Sequence, residues 1–150
     1  VTPGTPLPPS TRHVRTYRAQ GHTVLEFHGE IDIAAALEIT PCLDHATGPH
    51  EALVVIDLTS TTFIDCSGLG LLCRARSRVV EKRGQLLLVC PHPRTLALLH
   101  IVRLCGVFRP YPTLHAALAD AAPAEQRAKR RSKWTEGRLA CRRSRTRAPS

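Results

Sequence analysis

Residues 53–90 read LVVIDLTSTTFIDCSGLGLLCRARSRVVEKRGQLLLVC, and this stretch decides the fold class. Its two ends, Leu53–Leu58 and Gln85–Cys90, are short and rich in apolar residues, the pattern of strands buried on both faces. Between them Leu69, Leu72, Ala75 and Val79 recur at helical spacing, with Arg74, Arg78 and Lys82 on other faces. Gly84 is a stop signal for that helix. Thr59-Ser60-Thr61-Thr62 reads as a polar loop leaving the first strand. Strand, helix and strand in this order predict a largely parallel or mixed sheet with helices packed on it, an α/β fold.

The flanks extend the same alternation. Val14–Tyr17 and His22–His28 carry strand-like residues on either side of Ala19-Gln20-Gly21, which predicts a hairpin closed by Gly29. Asp32 is placed to cap a helix from about Ile33 to Ala46, with a distortion expected near Pro41. Beyond Pro91-His92-Pro93 the pattern predicts a helix from Arg94 to Leu104 closed by Gly106, a last strand Val107–Tyr111, and a final helix capped by Thr113 and ended by Pro123. The expected order is ββαβαβαβα, with a sheet of about five strands. Three segments result: a flexible leader 1–11, a single domain 12–122, and a tail 123–150.

Composition bounds the function. In 150 residues, 43% are hydrophobic and 4% aromatic, so the core is aliphatic and about the size of one ordinary domain. No apolar run is long enough to span a bilayer, and the first residues lack the apolar stretch of a signal peptide. An intracellular, cytoplasmic protein is expected. The cysteines at 42, 66, 73, 90, 105 and 141 form no CxxC pair and read as small buried hydrophobes. His45, His50 and Cys42 are the nearest thing to a metal cluster, and no metal or other cofactor is expected.

Charge is unevenly placed. Residues 1–122 hold 11 Lys and Arg against 10 Asp and Glu, whereas 123–150 hold 10 against Glu125 and Glu136 alone. Almost all of the net charge of +9, namely +8, therefore belongs to the tail. With few aliphatic residues, that tail is expected to be disordered alone. It could touch nucleic acid through its arginines and Trp134, but the domain offers no nucleic-acid motif and the solvated appendage is the favoured reading.

The candidate site is Asp65-Cys66-Ser67-Gly68-Leu69-Gly70, where a loop passes into a helix. A serine there meets unpaired backbone N–H groups and the positive end of the helix dipole, both favourable to a phosphate. The two glycines keep the surface low enough for another protein to reach the hydroxyl. An ordinary helix cap has the same composition.

The stretch DLTSTTFIDCSGLGLL resembles the signature of the STAS domain family of anti-sigma factor antagonists, and Gly29-Glu30-Ile31-Asp32 is similar to that family's Gly-Glu-hydrophobic-Asp. The resemblance covers about residues 12–122. It implies a STAS-like fold and a partner switch. The unphosphorylated protein binds an anti-sigma factor that is also a serine kinase; phosphorylation of Ser67 ends binding, and a phosphatase restores it. Asp32 then lies near the acceptor loop, and Asp65 fixes the loop or caps the helix. Cys66 departs from the family, which usually has a second Ser there, and a thiol at a helix N-terminus is open to oxidation.

Three other classes compete. One is a STAS scaffold or sensor subunit of a larger signalling complex. Another is an enzyme with Ser67 or Cys66 as nucleophile, disfavoured because Ser67 lacks a G-x-S-x-G setting. The last is a DNA-binding protein acting through residues 123–150.

Overall fold

The structure, a computed structural model, describes Leu7 and residues 10–121. Most of the leader and all of the basic tail lie outside the described residues. Two compact units are distinguished, residues 1–117 and 118–150. The first carries the fold; of the second, residues 118–121 are described, and they include the last turn of a helix.

The hairpin forms as expected. Strand β1 (Val14–Ala19) pairs antiparallel with β2 (His22–Phe27) across the turn at Gln20 and Gly21. The predicted apolar runs become β4 (Leu53–Asp57) and β6 (Gln85–Val89), parallel to β2 and to each other, in a sheet ordered β1-β2-β4-β6. In register, Leu25, Ile56 and Leu88 share one face and belong to the main core, while Val24, Val55 and Leu87 are buried on the other. At this level both faces are buried, as strands with a largely apolar run require.

A second, two-stranded sheet was not expected. β3 (Gly29–Ile31) pairs in parallel with β5 (Thr61–Ile64). The supposed loop Thr59–Thr62 therefore ends in a strand. Threonines suit a pleated backbone although their hydroxyls read as polar, and Thr61 is buried with Oγ1 donating to the Phe27 carbonyl, 3.2 Å. Gly29, at φ +73°, supplies the left-handed turn that lets the chain leave β2 and start β3.

Helix α1 (Ile33–Thr47) runs through Pro41 rather than ending there. Proline removes the hydrogen bond to the carbonyl four residues earlier. That residue is Leu37, and both it and Pro41 are exposed, so water can take the partner's place. Helix α2 (Cys66–Glu81) packs beside α1 on the sheet, and Ile39, Leu43, Leu72 and Val79 are all but inaccessible.

Arg74, Arg78 and Lys82, which sequence spacing puts on the helix exterior, form one stripe toward α1. Arg74 holds Asp44 by two hydrogen bonds of 2.7 Å. Arg78 donates to the Asp44 carbonyl and to Thr47, and Lys82 to the Gly48 carbonyl. Arg78 and Lys82 thus serve carbonyls at the C-terminal end of α1, where partial negative charge accumulates. The hydrogen bond from Arg74 pulls the Asp44 carboxyl below the ordinary carboxylate range, against a smaller opposite push from burial, with Arg78 adding to the pull. A depressed folded-state pKa contributes stability above the unfolded value of about 3.9, and this is lost as pH falls through the folded value. Asp44→Asn is expected to cost under about 1 kcal/mol at pH 7, because the pair is part-exposed. Its melting temperature should converge on wild type as pH falls through the lowered folded-state value, which a pH series of thermal melts checks.

The C-terminal part departs from expectation. Helix α3 (Pro93–Ile101) stops three residues early, at a turn where Arg103 takes φ +61°. The expected strand Val107–Tyr111 is absent: Cys105–Phe108 forms a short helix, α4, that buries Phe108, and Pro110 has no N–H for a ladder. Only Tyr111 reaches the sheet, bridging β6 through Leu88 and Cys90. Helix α5 (Leu114–Asp120) starts at Thr113, whose hydroxyl accepts from the Ala116 N–H at 3.0 Å, as a cap should.

Candidate functional site

The small sheet builds the site. In the parallel ladder Ile31 pairs with Ile64, and the Asp65 N–H donates to the Ile31 carbonyl, 3.3 Å. The next residues in register are Asp32 and Asp65. Each caps a helix: Asp32 Oδ1 accepts from the Ala35 N–H at 3.0 Å, and Asp65 Oδ1 accepts from Ser67 and Gly68 at 2.8 and 3.2 Å. One ladder therefore sets the starts of α1 and α2 next to each other, with the candidate acceptor two residues inside the second.

Each predicted site residue has a definite place. Asp32 and Cys66 are exposed, while Asp65 and Ser67 are half-buried. Gly68 and Leu69 are buried and belong to the core side of α2; Gly70 is exposed. The two glycines thus differ. A side chain at Gly68 would lie 2.3 Å from Ile64 Cγ1 and 3.0 Å from Ile31 Cγ2, so Gly68 seats α2 on the small sheet. Nothing lies within 4 Å of a side chain placed at Gly70, and only this glycine keeps the outer surface low.

The electrostatics also correct one expectation. The N–H groups expected to greet a phosphate are not free, because the Asp65 carboxylate already holds those of Ser67 and Gly68. A phosphate on Ser67 would meet a carboxylate in its place. Asp65→Ala removes a cap serving two donors and is expected to cost about 1–2 kcal/mol, measurable by urea denaturation. Asp65→Asn should recover most of that loss.

Sequence reading missed the apolar surroundings. Ile33 and Leu37 on α1 are 67% and 72% exposed, and Phe63 on β5 is 54% exposed. The signal was present for α1: both lie off the stripe Ala35, Ile39, Leu43 and Ala46 that meets the core. Glu30, paired with Phe63, is exposed as well. Neither 29–44 nor 57–73 contains a Lys or Arg, in a chain whose net charge is +9. Among the described residues no group of three His, Cys, Asp or Glu is arranged to hold a metal ion, and no helix is long and apolar enough to cross a membrane.

Comparison with known proteins gives a consistent result. The STAS domain profile matches residues 13–117. The anti-sigma-F factor antagonist RsfB of Mycobacterium tuberculosis is 30% identical over 98 residues, covering 65% of this chain and 80% of that protein. An anti-sigma factor antagonist from Mycobacterium paratuberculosis aligns in structure with a TM-score of 0.61 at 24% identity, over 73% of this chain and 96% of its own. The Bacillus cell fate determinant SpoIIAA, in its phosphorylated form, aligns at 0.56 and 19% identity over 71% and 96%. At these identities the two structural likenesses speak to the fold.

Proposed function

The chain belongs to the STAS domain family, and on that premise we propose that it acts as an anti-sigma factor antagonist switched off by phosphorylation of Ser67. In the unphosphorylated state it binds an anti-sigma factor that is also a serine kinase and so releases the sigma factor. The kinase modifies Ser67, the complex dissociates, and a phosphatase resets the switch. The protein works in the cytoplasm as a binding module, without catalysis or cofactor of its own.

One observation carries the reading: Ser67 stands in the first turn of α2, beside paired caps Asp32 and Asp65, on a surface whose two segments have no basic side chain. Phosphorylation adds close to two negative charges. Beside segments that carry carboxylates and no Lys or Arg, the added charge opposes docking by repulsion and by its desolvation cost. No conformational change is needed. The resemblance to RsfB, itself named an anti-sigma-F factor antagonist, supports the same class of partner.

The test is a pull-down from the host lysate with wild type, Ser67→Ala and Ser67→Asp as baits. Wild type and Ser67→Ala should retain an ATP-binding anti-sigma factor that Ser67→Asp loses. Retention of one and the same multi-subunit assembly by all three baits would instead indicate a scaffold.

A further inference from the structure

We propose that Cys90 and Cys105 are an oxidation site, joined by a peroxide into a reversible disulfide that fastens α4 to the end of β6. The two are far apart in sequence, and the fold brings them together. Cys90 directly follows β6 and is buried, while Cys105 opens α4 and is half-buried; both are free thiols. Each rests on α3. The Cys90 thiol donates to the His92 carbonyl at 3.9 Å, and the Cys105 thiol to the Leu96 carbonyl at 3.6 Å. The Leu96 N–H donates in turn to the His92 carbonyl, 2.9 Å. Those carbonyls are therefore consecutive in one column of the helix, about 6 Å apart, and the thiols are neighbours on that side of α3. Burial pushes the Cys90 thiol up, and the nearby Cys105 adds to the rise. Cys66 and Cys73, by contrast, are exposed on α2 and stand two turns apart, about 10 Å, too far to bridge.

Access orders the chemistry. Cys105 is the more exposed thiol and reacts first: the O–O bond of hydrogen peroxide breaks, one oxygen joins the Cys105 sulfur as a sulfenic acid, and the other leaves as water. The Cys90 sulfur then attacks that of Cys105. The S–S bond forms, and the sulfenic hydroxyl departs with the Cys90 proton as a second water. Two thiols thus lose two electrons to one peroxide. Closing the bond shifts α4, which is a single turn with no side-chain cap at its start, set between the left-handed residues Arg103 (φ +61°) and Arg109 (φ +48°). The segment it fastens is thinly attached to the sheet. Cys90 N–H donates to the Tyr111 carbonyl and Tyr111 N–H to the Leu88 carbonyl, at 2.9 and 2.8 Å, and Phe108 is buried between the two anchor points. A bond that forms on oxidation and is reduced again is the kind of disulfide that cytosolic proteins use.

The test treats the reduced full chain with a small excess of hydrogen peroxide, alkylates the remaining thiols and digests with trypsin without reduction. Cys90 and Cys105 fall in separate peptides, residues 84–94 and 104–127. A linked pair, lighter by two hydrogens than the sum and separated by dithiothreitol, is the expected product. The melting temperature of the oxidised chain should rise by about 5–10 °C, the size expected for closing a loop of about 16 residues in a domain of this length. Cys105→Ser, a change at a half-buried position that the fold tolerates, should lose both the linked peptide and the rise. Cys90→Ser should leave Cys105 as a sulfenic acid that dimedone traps. Cys90 recovered alkylated after peroxide treatment, whatever the state of Cys105, overturns the proposal, as does a disulfide from Cys90 to any other cysteine.

Discussion

Ser67→Asp is expected to bind the anti-sigma factor about 30- to 1000-fold more weakly than wild type, equivalent to about 2–4 kcal/mol. The size follows from placing negative charge beside chain segments, 29–44 and 57–73, that carry carboxylates and no Lys or Arg. Asp32 and Asp65 stand at the adjoining helix starts, and one oxygen of each, Oδ1, is committed to capping. The substitution should not harm the fold. Position 67 is in the first turn of α2, which has no acidic residue, and a carboxylate there interacts favourably with the helix dipole. Unchanged or slightly raised thermal stability with lost affinity would separate a surface effect from unfolding. Raising the ionic strength should recover part of the affinity, since exposed charges are screened over about 8 Å at physiological salt. Authentic phosphoserine, with roughly twice the charge of aspartate, should bind more weakly still.

Gly68→Ala is expected to lower stability by about 3 kcal/mol, a fall in melting temperature of at least 10 °C for a domain of this size. The added methyl would lie within 3.0 Å of carbon atoms on two buried isoleucines, Ile64 and Ile31. Both side chains belong to the paired strands β3 and β5, so relief requires α2 to lift from the small sheet. The neighbouring change behaves oppositely. Gly70→Ala meets open space and replaces a poor helix former, giving a gain of up to about 1 kcal/mol. It nonetheless raises the surface beside Ser67, and slower phosphorylation of a more stable protein is the expected result. Thermal melts of the two variants, paired with a phosphorylation time course, check both statements.

Much of this architecture is legible in the residues themselves. Leu53–Leu58 and Gln85–Cys90 announce buried parallel strands because Asp57 and Gln85 are their only polar residues, and both are found in the central sheet. Asp32, Asp65 and Thr113 are readable as caps because short oxygen-bearing side chains at helix starts have one common use, and each accepts the expected backbone N–H. The β3–β5 ladder was hidden for a physical reason. Its strands are three and four residues long, one rich in threonine, and their pairing spans some thirty residues of chain. Local pattern carries no information on such a contact. The same holds for Arg74, Arg78 and Lys82, whose spacing marks a stripe but not the helix it faces. Val107–Tyr111 failed differently: β-favouring residues were overridden by the burial of Phe108 in a helical turn.

The site was legible as a motif and illegible as a surface. Ser67 and its flanking acids could be named from the chain, yet the distinct duties of Gly68 and Gly70 depend on which side of α2 meets the small sheet. The apolar border at Ile33, Leu37 and Phe63 likewise emerges only when β3 and β5 bring residues 30–37 beside 61–67.

The most direct test is to incubate the purified chain with its anti-sigma factor and ATP, map the phosphate by mass spectrometry, and chromatograph the mixture. A single phosphate on Ser67, absent from Ser67→Ala, together with loss of the complex as phosphorylation proceeds, is the predicted result. A phosphate placed elsewhere, or a complex that persists with Ser67 fully modified, would contradict the switch.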